Sequence, residues 1–186
     1  MTARSGETFE LGRAVRDVET LLAGPVPETG PTDSQGDPVT GEWTATSGEG
    51  FRILPLWESD SLVGVYAPEW NDAEEAARGH LDGLVAELDR RWGAHRKVGM
   101  RVPIFRNIAD EPLPPLFQAL CDQDCLGDLS VWGPVATGPH TADVWVAASL
   151  NQCDGDAPMI IVALVSHRPI IELEDWRPTA SRPGRE

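Results

Sequence analysis

The side chains with the clearest chemical potential in this 186-residue chain are carboxylates that recur in short clusters. Paired carboxylates can act as general acid and general base, but only where burial separates their pKa values. These clusters fall in turns and at the ends of predicted strands and helices. We therefore expect them to form an anionic binding surface, with tryptophans as apolar anchors. The expected partner-binding residues are Asp122, Asp124, Asp128, Trp132, Asp154, Asp156, Glu172, Glu174, Asp175 and Trp176.

A run of basic residues offers a second kind of site. Residues 90–106 hold six Arg and Lys side chains and no acid. Guanidinium groups bind carboxylates and phosphates in bidentate geometry. An alternative hypothesis is therefore a small-molecule enzyme or ligand-binding domain, in which an anionic ligand lies against Arg96, Arg101 and Arg106. The run also fits a helix C-terminus, where cations are favourable, followed by a solvated strand face.

The remaining reactive residues predict neither a metal site nor a cofactor. Cys121 and Cys125 are four positions apart, but no histidine lies at ligand spacing from them, so buried and unreactive thiols are expected. Ser166 and His167 are adjacent in a predicted strand and point to opposite faces, so they cannot form a catalytic pair. We predict no catalytic residue and expect binding rather than catalysis.

The charge balance indicates what kind of partner to expect. Thirty acidic side chains outnumber fifteen basic ones, for a net charge of −15. Nucleic acid would be repelled over most of such a surface, because duplex binding depends on neutralising phosphates with Lys and Arg. A basic protein is the expected partner, since complementary charge speeds association. The chain would neutralise or chaperone that protein, and a toxin-neutralising immunity protein is the concrete version of this hypothesis.

Sequence features bearing on location predict a cytoplasmic protein without membrane contact. The longest apolar run, residues 159–165, is far shorter than the eighteen or so residues of a membrane-spanning helix. Residues 1–10 carry charges where a signal peptide needs an apolar core. An odd number of cysteines, three, does not make a disulfide framework and suits a reducing compartment.

The N-terminal part predicts a helix followed by a flexible linker. Apolar residues recur at helical spacing over residues 9–22, and Gly24 ends the pattern. Residues 25–50 are rich in Gly, Pro, Ser, Thr and acids. A third hypothesis follows, a structural component that docks through this helix, although docking on its own domain is the simpler expectation. The predicted organisation is a helix at 1–24, a linker at 25–50, a domain at 51–176 and a disordered tail at 177–186.

Periodicity in the body predicts an α+β domain with an antiparallel or mixed β-sheet and helices packed on one face. The run at 159–165 lacks alternation, which is typical of a central strand covered on both faces. The predicted elements are a hairpin of 51–57 and 62–67, a helix from Asn71 to Trp92, a strand at 98–104 carrying Arg101 on one face, a helix at 113–121, a short strand at 129–132, and a hairpin of 143–150 and 159–166.

Overall fold

The computed structural model describes residues 6–135 and 143–174. Within these ranges the chain forms four helices and seven strands. The helices are α1 (Leu11–Ala23), α2 (Glu69–Trp92), α3 (Arg101–Ile108) and α4 (Pro115–Asp122). The strands are β1 (Asp33–Gly36), β2 (Trp43–Gly48), β3 (Phe51–Glu58), β4 (Arg96–Val98), β5 (Leu129–Val135), β6 (Val144–Asn151) and β7 (Ile160–Ser166). No helix in the described ranges is both long and apolar enough to cross a membrane.

All seven strands join one antiparallel sheet in the order β1-β2-β3-β7-β6-β5-β4. This confirms the predicted α+β class and the helix that precedes the sheet. The predicted hairpin of β6 and β7 is also present, with Ala148 opposite Ala163. Strand β7 lies at the centre, between β3 and β6, because its side chains are apolar on both faces.

The helices are divided between the two faces of the sheet. One core contains buried residues of α1 and α2 together with Ile161 and Val165 of β7. The other contains buried residues of α4 together with Val162 and Leu164 of β7. The structure differs here from the expected packing on one face. A strand that is apolar on both sides needs a cover on each, and α3 and α4 supply the second one.

The two long helices follow their apolar periodicity. Helix α1 buries one face, which includes Val15 and Val18, against α2 and the sheet. Helix α2 buries Ala77, Leu84 and Leu88 on the same side of the sheet. Both helices were predicted from spacing alone. The apolar face of α1, which docking on another protein would use, is covered by its own domain.

The segment predicted as a linker, residues 25–50, contributes two strands at one edge of the sheet. Strand β2 pairs with β3, with Thr46 opposite Ile53, and β1 pairs with β2. The Trp43 indole donates to the Thr46 hydroxyl at 2.9 Å. Trp and Thr favour strands, but the polar composition around them concealed these short elements. The predicted tail at 177–186 lies outside the described residues.

Two predicted strands are wrong. Residues 62–67 form a connection rather than a strand, and β3 pairs with β2 and β7 instead. Only Val98 of the strand predicted at 98–104 lies in β4, and α3 begins at Arg101. Pro103 explains this second difference, because proline suits the first turn of a helix and interrupts the hydrogen bonding of a strand.

Candidate functional site

Three connections meet at one end of the sheet. The register places Leu129 opposite Val98, so the chain before β5 lies beside the end of β4. The Gly127 N–H donates to the Asn151 side chain at 2.8 Å, which brings the same segment to the β6–β7 turn. The Ser59 N–H donates to the Met159 carbonyl at 2.9 Å and adds the β3–α2 connection. Antiparallel pairing thus gathers segments that are distant in sequence.

Carboxylates concentrate at this end, which we call the acidic end and define by Asp128, Asp154, Asp156 and Glu172. Gly99 lies between two of them, since a Cβ there would be 2.9 Å from Glu172 Oε1 and 3.8 Å from Asp128 Oδ1. Asp128 and Glu172 belong to clusters that were predicted separately. The structure therefore brings one residue of each cluster together.

The β6–β7 turn holds the other two carboxylates in place. Asp154 Oδ1 accepts hydrogen bonds from the Asp156 and Ala157 N–H groups at 3.0 and 2.9 Å, the local bonding that favours Asp in turns. The Gly155 carbonyl accepts a hydrogen bond from the Trp70 indole at 3.0 Å. The turn is therefore anchored to the start of α2, while both Asp side chains remain exposed.

These carboxylates differ from those of α2 in their pairing. Glu74 pairs with Arg78 at 2.6 Å, and Glu87 pairs with Arg90 and Arg91. Hydrogen bonds from Arg90 and Arg91 lower the pKa of Glu87 to about 2. The seven predicted partner-binding acids that lie in the described ranges form no ion pair with any described residue, and all seven are exposed. These acids are Asp122, Asp124, Asp128, Asp154, Asp156, Glu172 and Glu174.

Two of the remaining predicted residues lie beside β1, away from the acidic end. Gln123 donates to the Ser34 hydroxyl at 3.1 Å, so its neighbours Asp122 and Asp124 lie beside β1. Glu174 is exposed at the end of the described chain, and Asp175 and Trp176 lie outside the described residues.

Trp132 is a core residue rather than an exposed anchor. Its side chain is 2% exposed and lies in the core that also contains α1 and α2. Its indole donates to Asp89 Oδ1 at 2.9 Å, which satisfies its polar atom inside the fold. The expectation that Trp132 contacts a partner is therefore corrected.

The sequence analysis missed two apolar residues at the acidic end. Val63 and Tyr66 lie in the β3–α2 connection and are 73% and 78% exposed, whereas their neighbour Leu62 is buried. The Leu62 N–H donates to the Asp156 carbonyl at 3.1 Å, which fixes this connection against the acidic turn. The wrongly predicted strand hid them. The available signal was the only Tyr of the chain, which lies between a turn rich in Ser and Asp and Pro68.

The three arginines of the alternative ligand site are engaged separately. Arg96 donates to the Ile170 carbonyl. The Arg101 guanidinium lies over the Phe105 ring, 5.5 Å from its centroid. Arg106 has a buried Nε that finds no hydrogen-bond partner among the described residues. Arg101 and Arg106 are five positions apart on α3, so their directions differ by about 140°. This geometry does not focus the three on one anion.

The cysteines have the environment expected from sequence. Cys121 and Cys125 are buried, free thiols. Burial, reinforced by the charge of Asp124, raises the pKa of Cys125 to about 12, which disfavours the reactive thiolate. In the part of the chain that is described, no group of three or more His, Cys, Asp or Glu side chains is placed to hold a metal ion.

Comparison of the chain with protein-family models, with curated proteins and with solved structures found no match.

Proposed function

We propose that this chain is a protein-binding domain whose acidic end docks on a basic surface of another protein. One observation carries the proposal: exposed carboxylates without ion-pair partners among the described residues lie at one end of the sheet, and the Leu62–Asp156 hydrogen bond brings the connection with the exposed Val63 and Tyr66 to the same end. Carboxylates steer a basic partner towards this end and select it by charge. Tyr is among the residues that dominate binding energy at protein interfaces, and Val63 beside it adds apolar area.

Neutralising or chaperoning the basic partner is the biological role that this proposal favours, and a toxin would be one such partner. A bound acidic domain covers the cationic surface that its partner would use on an anionic target. The ion-paired acids of α2 are poor candidates for the same task, because their charges are already matched by arginines on the same helix.

Affinity capture from a lysate of the source cells tests this proposal, with the full chain as bait and salt as a variable. We expect one basic protein to be retained in stoichiometric amount at low salt and released as salt rises. The double variant Asp156→Asn/Glu172→Gln should retain it less well. Tyr66→Ser should weaken affinity by about tenfold or more, the effect of losing an interface hot spot.

A matched control removes the same amount of charge from the opposite end of the sheet. Glu28 and Asp143 are exposed at that opposite end. The Gly50 N–H donates to the Pro27 carbonyl, which places Glu28 near the β2–β3 turn, and Asp143 directly precedes β6. The variant Glu28→Gln/Asp143→Asn should retain the partner as the wild type does. If both double variants lost the same fraction of the retained partner, net charge alone would explain the binding, and the proposal of a localised surface would be refuted. Retention of no protein, or of an acidic one, would also refute the proposal.

A further inference from the structure

A cavity of about 500 Å³ opens between α2, β4 and the acidic end. Its walls include Arg78 and Asp82 from α2, Lys97 from β4, Asp128 from the segment before β5, and Met159. Small-molecule sites commonly enclose roughly 300–1,000 Å³, so the volume suits a small ligand. The mixture of acidic, basic and apolar groups restricts which ligand that is.

The charged groups on the cavity wall differ in how they are paired. Arg78 and Glu74 form an ion pair at 2.6 Å and balance each other. Lys97 Nζ instead donates to the neutral hydroxyl of Ser130 at 2.9 Å. Asp128 Oδ1 accepts a hydrogen bond from the Met100 backbone N–H. Within the described ranges Lys97, Asp128 and Asp82 have no ion-pair partner, so one cation and two carboxylates face the same space. Lys97 and Asp128 are the two groups of opposite charge at the β4–β5 pair.

The sheet fixes the positions of these two charges. Lys97 is directly opposite Ser130 in the β4–β5 pair, and its hydrogen bond runs across that pair. Asp128 immediately precedes Leu129, which is opposite Val98. Both side chains are therefore attached to the same rigid ladder. A ligand that binds both does not have to order a loop, a cost that otherwise reduces affinity.

We propose that this cavity binds a small zwitterion, with the ligand carboxylate at Lys97 and the ligand ammonium at Asp128. A free amino acid is the simplest molecule of this class. A simple anion would meet the carboxylates of Asp82 and Asp128, and a simple cation would meet Lys97 and Arg78. A dipolar ligand satisfies both signs, and the apolar atoms of Met159 on the same wall contact its side chain.

Lys97 makes a direct test practical because it is the only lysine in the chain. Reductive methylation with ¹³C-formaldehyde keeps the positive charge and labels only Lys97 and the N-terminal amine. The free amino acids are then added singly, and the two resonances are followed by NMR. We expect at least one amino acid to shift the Lys97 resonance to saturation at millimolar concentration or below, while the N-terminal resonance serves as internal reference.

Charge-deleted ligands and a variant decide whether both ends are recognised. The methyl ester and the N-acetyl derivative of the active amino acid should each bind about tenfold more weakly, equivalent to roughly 1.4 kcal/mol per lost charge contact. Asp128→Asn should weaken the free amino acid by a similar factor, since its amide oxygen can still accept the backbone N–H. Asp124→Asn, which is exposed outside the cavity, should leave the affinity unchanged.

Three results would overturn this inference: no amino acid shifts Lys97 to saturation, the ester binds as well as the free amino acid, or the acetylated form does. The last two would mean that the cavity recognises only one charge. Asp128 belongs both to this cavity and to the acidic end, but the residues varied in the partner test, Tyr66, Asp156 and Glu172, do not line the cavity. Partner capture can therefore fail while amino acid binding succeeds, and the reverse also holds.

Discussion

The Asp89 carboxylate links three segments of the fold through hydrogen bonds. Its Oδ1 accepts hydrogen bonds from the Trp132 indole at 2.9 Å and from the His95 backbone N–H at 2.9 Å, and the His95 ring Nδ1 lies 3.0 Å away. These contacts join the end of α2, the chain that enters β4, and β5. Trp92 packs edge-on against Trp132, so an apolar contact closes the same corner.

Replacing Asp89 by Asn should destabilise the protein at neutral pH and remove part of its acid sensitivity. Burial opposes ionisation, but the hydrogen bonds from Trp132 and His95 outweigh it, so the pKa of Asp89 lies below its ordinary value of 3.8. The native state therefore binds this proton less readily than the unfolded chain. The stabilisation is complete above the ordinary pKa and is lost as the pH falls through the lowered one. We expect Asp89→Asn to cost about 1–2 kcal/mol at neutral pH.

Urea unfolding of the wild type and Asp89→Asn at several pH values from neutral to about 3 measures this effect. The difference between them should shrink towards the acid end of the series. Asp33→Asn, on the exposed strand β1, is the control and should have little effect at any pH. A difference for Asp89→Asn that does not change with pH would show that packing, rather than charge, accounts for the loss.

The residues of the candidate surface were only partly predictable. Asp128 and Glu172 could be singled out as exposed carboxylates, but their meeting at Gly99 depends on where the chain returns after β7. Trp132 was predicted to contact a partner and is buried, whereas the exposed Tyr66 was not singled out. Residue type alone does not reveal which aromatic side chain faces the core, since this follows from strand register.

At the scale of elements, strong periodicity was a reliable guide. Helix α2 and strand β7 carry patterns that no other element type fits, one with helical spacing and one apolar throughout. Weak patterns misled at 62–67 and 98–104. At 98–104, four apolar residues alternate as they would in a strand. Pro103 instead favours a helix there, because proline suits a first helical turn. Strands β1 and β2 have polar sequences. Pairing of β2 with β3, and of the edge strand β1 with β2, stabilises them.

The connection between α4 and β5 passes so close to β6 that only glycine fits at position 127. A Cβ at Gly127 would overlap the Leu150 carbonyl oxygen and lie 3.0 Å from Asn151 Oδ1. We expect Gly127→Ala to lower the free energy of unfolding by at least about 2 kcal/mol, because backbone must move to relieve the overlap. Denaturant unfolding monitored by tryptophan fluorescence measures this change.

Gly79→Ala is the matched control for this substitution. Gly79 is exposed on α2, and apart from its chain neighbours and the backbone of the helix itself no described atom lies within 4 Å of the position that its Cβ would take. Alanine is the better helix former, so this variant should gain up to about 1 kcal/mol. Similar stability of Gly127→Ala and the wild type would mean that the connection is looser than the structure indicates.

For the molecule as a whole, the charge acts on folding and on binding in opposite directions. The excess acidic side chains behind the net charge of −15 repel one another in the compact state. The acids beside β1 and at the acidic end, which have no ion-pair partner within the described ranges, contribute to that repulsion. Salt screens exposed charges over about 10 Å at 0.1 M. It should therefore relieve repulsion within the chain and also weaken attraction to a basic partner.

We expect the free energy of unfolding to rise as sodium chloride is added, up to a few tenths molar, while affinity for the partner falls. The variant Asp122→Asn/Asp124→Asn/Glu172→Gln/Glu174→Gln removes four carboxylate charges that have no ion-pair partner among the described residues. It should be more stable than the wild type at low salt and should gain less from added salt, because less repulsion remains to be screened. Urea unfolding of both proteins across a sodium chloride series measures the two slopes. A wild type that loses stability as salt is added would show that ion pairs such as Glu87 with Arg90 stabilise the fold by more than the repulsion destabilises it. The excess of acidic side chains would then not lower the free energy of unfolding.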